Sequence, residues 1–101
     1  MAKSKDVYIL YVCDEWKSHS SMRSMCVSTS FDNIVAAIRK GIKEDKISYR
    51  YDNKNESYDY FNMELSLLNK SGLSDRSIAY RINRDLEYAD IEVWDDGKSY
   101  L

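Results

Sequence analysis

Apolar and polar positions alternate in two different rhythms along this chain, and the change from one to the other marks its elements. Val7-Tyr8-Ile9-Leu10-Tyr11-Val12-Cys13 is β-branched and aromatic, with both alternating faces apolar, which predicts a strand at the centre of a sheet. Arg23-Ser24-Met25-Cys26-Val27-Ser28-Thr29 alternates, with Arg23, Met25, Val27 and Thr29 on one face and Ser24, Cys26 and Ser28 on the other. That pattern predicts a second, half-exposed strand. The simplest connection is a hairpin. Its turn, from Asp14 to Met22, contains no Gly, so a wide loop is expected rather than a tight two-residue one.

The rhythm then becomes helical. Phe31, Ile34, Val35, Ile38 and Ile42 form one stripe, which predicts a helix of about three and a half turns lying across the hairpin. Ser30 reads as its N-cap, and Asp32 sits where the helix dipole favours a negative charge. Gly41 is a weak point near its end. Ile47, Tyr49 and Tyr51 predict a short strand, and 52–57 a polar loop. Tyr58, Phe61, Leu65 and Leu68 predict a second helix stopped by Ser71-Gly72, with Gly72 in the left-handed cap position. Ser74 caps a third helix carrying Ile78, Ile82 and Leu86. Ala89, Ile91 and Val93 alternate with Asp90, Glu92 and Trp94 as a final strand, before a turn at 95–97 and a tail at 98–101. No repeat, low-complexity tract or domain boundary is visible.

The fold class expected is therefore α+β, one small domain over 1–101. An N-terminal β-hairpin sits in a mainly antiparallel sheet of three to four strands, with two to three helices packed on one face. The length of 101 residues allows one modest core. A net charge of −2 is not the basic signature of a dedicated nucleic-acid binder. Nine Tyr carry most of the aromatic content and suit rims and interfaces as well as interiors. Two Cys in this length do not make a disulfide scaffold. The polar lead-in Met1-Ala2-Lys3-Ser4-Lys5-Asp6 has no signal-peptide character, and no apolar run is long enough to span a membrane. The expected setting is the cytoplasm, with reduced thiols and no membrane association.

Candidate chemistry collects in the connection between the first two strands. It holds the chain's one His, one of two Cys and one of two Trp among charges and hydroxyls. Zinc wants two close pairs of thiolates or imidazoles, whereas Cys13, His19 and Cys26 are spaced C-x5-H-x6-C, so no metal site and no cofactor are expected. Cys13 with His19 as nucleophile and base would need direct hydrogen-bond reach. A small Cys/His enzyme is thus a second alternative, and no catalytic residue is assigned. The leading expectation is a non-enzymatic accessory protein that binds another macromolecule, a protein, through Asp14, Glu15, Trp16, Lys17, His19 and Arg23. A Trp among charges with an Arg nearby has the composition of an interface hot spot. The competing structural expectation folds Trp16 back onto the core, with Ser18, Ser20 and Ser21 tying the loop to its own backbone.

Segment 67–82 resembles a helix-turn-helix motif in Leu67, Gly72-Leu73-Ser74 and Ser77-Ile78. It departs from that motif at Leu68, where a small residue is usual, and at Ser71 and Arg81, where apolar ones are. The resemblance implies a first alternative, a DNA-binding regulator contacting DNA through Arg76, Tyr80, Arg81 and Arg84.

Val7 to Val12 followed by Cys13-Asp14-Glu15-Trp16-Lys17-Ser18-His19-Ser20-Ser21-Met22-Arg23 also resembles the N-terminal signature of small uncharacterised proteins of phages and mobile elements of gut bacteria. The likeness extends to the Ser-capped helix from Ser30 and the closing strand from Tyr88 to Trp94. It implies a bacterial or phage-infected cytoplasm and a modulator of a host protein, and it implies no catalytic residue.

Overall fold

The computed structural model describes residues 6–95. In chain order the elements are β1 (Asp6–Val12), β2 (Arg23–Ser28), α1 (Phe31–Lys43), β3 (Ser48–Tyr49), α2 (Lys54–Lys70), α3 (Asp75–Asn83), β4 (Leu86–Glu87) and β5 (Ala89–Asp95). A 3₁₀ turn over His19–Ser21 lies between β1 and β2. The turn at 96–97, the tail at 98–101 and the lead-in at 1–5 fall outside the described residues.

β1 is the central strand of a three-stranded antiparallel sheet in the order β2-β1-β5, and β3 pairs with β4 in a separate two-stranded sheet. The sequence expectation of an α+β fold with an N-terminal hairpin is met. Tyr8 and Leu10 point into the core with Ala89 and Ile91 of β5. Every residue of the α1 stripe (Phe31, Ile34, Val35, Ile38 and Ile42) is buried there. Phe61, Leu65 and Leu68 of α2, Ile78, Ala79 and Ile82 of α3, and Ile47, Tyr49 and Leu86 join the same interior. Burial of each of the Leu, Ile, Val and Phe side chains among them contributes roughly 1.5–3 kcal/mol before entropy is counted.

Four local readings are corrected. The alternation of β2 is broken: Leu10 pairs with Cys26 but Tyr11 pairs with Ser24, leaving Met25 as an extra residue in a β-bulge. Met25 and Cys26 consequently both pack against the core, and Val27 stands 59% exposed opposite Ile9. Ser30 occupies the N-cap of α1 without a side-chain cap. Its neighbour Ser28 bonds the Ser30 amide and the Asn33 side chain instead. The polar stretch 52–57 is not all loop, because Asn53 caps α2 by accepting from the amides of Asn55 and Glu56. The Asn53-x-x-Glu56 spacing is a helix-start signature, and the first turn of α2 lacks an apolar stripe because only Ser57 is buried there. Leu86 is not helical: α3 ends at Asn83, and Leu86 pairs with Tyr49 across the β3–β4 ladder. Gly72 does take the expected left-handed conformation, at φ +76°.

Candidate functional site: the loop between β1 and β2

The loop is built on Asp14. Its carboxylate accepts from the Ser18 amide (3.0 Å) and the Ser18 hydroxyl (2.8 Å). Its own amide donates to Ser21 Oγ (3.0 Å), whose hydroxyl in turn donates to the Ser18 carbonyl (2.9 Å). The Asp14 carbonyl accepts from the Lys17 amide. The Ser18 amide first, and the Ser18 hydroxyl after it, hold the Asp14 carboxyl below its ordinary value. Local side-chain to backbone bonding thus supplies the order that a Gly-containing turn would otherwise give.

Lys17 fastens this knot to the rest of the fold. It sits at φ +54°, a conformation a non-Gly residue holds only when its surroundings impose it. Its ammonium reaches the carbonyl of Asn83, the last residue of α3, at 3.1 Å and lies 3.8 Å from the Asp90 carboxylate. Asn83 is itself clamped: its Oδ1 accepts from the Ile91 amide (2.9 Å) and its Nδ2 donates to Asp90 (3.0 Å). On the other side of the knot, the Cys13 amide donates to the carbonyl of Tyr88, another left-handed residue, at 2.9 Å. The first half of the β1–β2 connection is therefore pinned at two points, Cys13 and Lys17, to the α3–β5 region.

The residues expected to bind a partner divide into two groups. Asp14 bonds within the loop, Lys17 reaches Asn83 and Asp90, and both hold the loop. Glu15, Trp16, His19 and Arg23 face solvent, with Trp16 77% exposed. Of the three hydroxyls expected to tie the loop to its own backbone, that of Ser21 does so, that of Ser18 bonds the Asp14 carboxylate and Ser21 Oγ instead, and Ser20 is exposed; Trp16 does not turn inward. Among the described residues Arg23 has no ion-pair partner. Asn83, Tyr88 and Asp90 were missed in the sequence. Asn83 lies 66 residues from Lys17, and no local pattern marks it.

Cys13 and His19 are not brought into a dyad. Burial, and after it the Asp90 carboxylate, pushes the Cys13 thiol up from its ordinary value, the opposite of an activated nucleophile. His19 is exposed at the start of the 3₁₀ turn, and no hydrogen bond joins it to Cys13 among the described residues. Among those residues, no three His, Cys, Asp or Glu gather to hold a metal. No described helix is long and apolar enough to cross a membrane.

The residues of the DNA-binding alternative are separated by their contacts. Arg76 pairs with Asp6 at the start of β1 (3.5 Å). Tyr80, Arg81 and Arg84 are exposed on the outer side of α3.

Fold and loop together define a small α+β domain that presents one aromatic side chain from a pinned connection. The chain matches no family model, no curated protein and no solved structure.

Proposed function

We propose that this protein is a non-enzymatic accessory protein that binds another protein through the exposed side of the 14–23 loop. The observation that carries the reading is Trp16, 77% exposed on a loop that Asp14, Ser18, Ser21 and Lys17 hold in one conformation. An exposed Trp on a disordered turn would lose much of its binding energy to ordering, and a pre-formed loop avoids that loss. Glu15, His19 and Arg23 around it offer charged and hydrogen-bonding groups for the rim of such a contact. The resemblance of residues 7–23 to small phage and mobile-element proteins points to a host protein in a bacterial or phage-infected cytoplasm as the partner, and to modulation as the outcome.

The test is affinity capture with the immobilised full chain, followed by a measured Kd for the protein retained. Trp16→Ala and Arg23→Ala are expected to keep the wild-type circular dichroism and melting temperature. Each is expected to weaken binding by about 2 kcal/mol, roughly thirty-fold. Unchanged affinity in both folded variants overturns the reading.

A further inference from the structure

A groove opens on the outer side of α3, lined by Leu73, Ser77, Tyr80, Arg81 and Arg84, with a volume of about 420 Å³. Among the described residues no carboxylate lines it. Its two guanidinium groups are also unspent: among the described residues, neither Arg81 nor Arg84 has an ion-pair partner. The charges around them behave differently. Arg76, earlier on the same helix, is held by Asp6, and Asp85, next to Arg84, is held by Arg50. Arg84 keeps helical backbone angles as the C-cap of α3. Arg81 and Arg84 are therefore surface neighbours, about 5–6 Å apart at Cβ. Tyr80, 51% exposed, and the partly buried Leu73 supply an apolar wall. The basic end adjoins the pinned loop, because Arg84 follows Asn83, whose carbonyl holds Lys17.

We propose that this groove binds a short acidic peptide segment of a partner protein. Two of its carboxylates pair with Arg81 and Arg84, and an adjacent aliphatic or aromatic side chain lies against Leu73 and Tyr80. Guanidinium–carboxylate pairing at a partly desolvated site gives orientation as well as affinity. A groove of this volume takes a few side chains. A long polyanion is disfavoured, because exposed Asp75 and Glu87 lie on the same α3–β4 segment and the chain carries a net charge of −2. Arg76, which a DNA-reading helix would also need, is tied to Asp6. The proposal does not depend on the loop binding a partner.

The experiment is selection from a displayed random-peptide library on the intact chain, followed by anisotropy titration of the synthesised, fluorescently labelled peptides. Selected sequences are expected to carry at least two Asp or Glu beside a Leu, Phe, Tyr or Trp. Their affinity should fall as sodium chloride is raised, and by about tenfold or more in the Arg81→Glu/Arg84→Glu double variant. Should that variant not fold, Arg81→Gln/Arg84→Gln serves in its place, and the salt titration on the unaltered protein needs no variant. Trp16→Ala should leave peptide binding intact, which separates the groove from the loop. Selection without acidic enrichment, or equal binding by a folded charge-altered variant, overturns the proposal. So does tight low-salt binding of a labelled DNA duplex that is lost in the same variant, since it assigns the groove to nucleic acid.

Discussion

Asp14 is joined twice to a single residue: one carboxylate oxygen takes the Ser18 amide at 3.0 Å and the other takes the Ser18 hydroxyl at 2.8 Å. The loop's order therefore depends on Asp14 being ionised. Its folded pKa lies below the ordinary 3.8, chiefly through the Ser18 amide. A depressed carboxyl pKa contributes order that is complete above the unfolded value and is lost as pH falls through the folded one. Protection of the Ser18 amide, the slowing of its hydrogen exchange relative to the intrinsic rate at each pH, is expected to hold at neutral pH and to fall only below the ordinary carboxylate range. In Asp14→Asn the protection should already be lower at neutral pH and show no acid transition.

Trp16 stands 77% exposed, away from the packed core. Trp16→Ala should change unfolding free energy by less than about 0.5 kcal/mol, as for other surface positions. Denaturant titration of the variant beside the wild type measures this. Iodide should quench the Trp16 fluorescence readily. A loss of several kcal/mol would instead make the side chain a staple of the fold.

Asn83 ties three segments together through Lys17, Asp90 and the Ile91 amide. Asn83→Ala leaves that amide without its acceptor, at a cost of about 1–3 kcal/mol. Asn83→Asp keeps the acceptor but sets a carboxylate against Asp90, so it should not restore stability. Urea denaturation reads both, and backbone amides of 14–18 should exchange faster in each.

Gly41 is needed for close approach. A Cβ added there would lie 2.5 Å from Ile47 Cδ1 and 2.8 Å from its Cγ1. The helix propensity gained by Gly→Ala, about 1 kcal/mol, is opposed by an overpacking cost of about 1–3 kcal/mol against a buried side chain. Gly41→Ala is expected to destabilise by about 1 kcal/mol net. In an Ile47→Ala background, which removes both crowded carbons, the same change should become stabilising.

Tyr49 is fully buried, and its hydroxyl donates to Glu64. Burial first, and the Glu64 carboxylate after it, hold its pKa far above the ordinary 10.0. A raised folded value contributes stability that is complete below the unfolded pKa and is lost as pH rises above it. Ultraviolet titration should therefore show Tyr49 remaining a phenol in the folded protein and ionising only on alkaline unfolding. Reversible ionisation of all nine Tyr without unfolding would contradict this placement.

The elements legible in the sequence are those whose signal is local and repeated. Both faces of Val7 to Val12 are apolar, and β1 is central. Phe31, Ile34, Val35, Ile38 and Ile42 share one helical face, and all five are buried. The same reasoning failed where a single residue shifts the phase. Met25 bulges out of the β2 ladder and turns Val27 to solvent, although the written alternation runs on through it. Leu86 continued a helical spacing by coincidence. Its backbone is taken by Tyr49, a partner 37 positions earlier by their numbering.

The candidate site divides along the same line. Sequence alone determined that the connection after β1 is wide, polar and hydroxyl-rich, because Asp and Ser bond their own neighbouring backbone over a few residues. It also determined that Gly72 turns the chain between two helices, because Gly takes positive φ with little cost. Only the tertiary structure decided that Trp16 faces outward, that Lys17 is spent on Asn83 and Asp90, and that Arg81 and Arg84 have no ion-pair partner among the described residues. Those outcomes depend on which distant groups the packed sheet and helices bring within about 3–4 Å of one another. Periodicity along the chain carries no record of that distance.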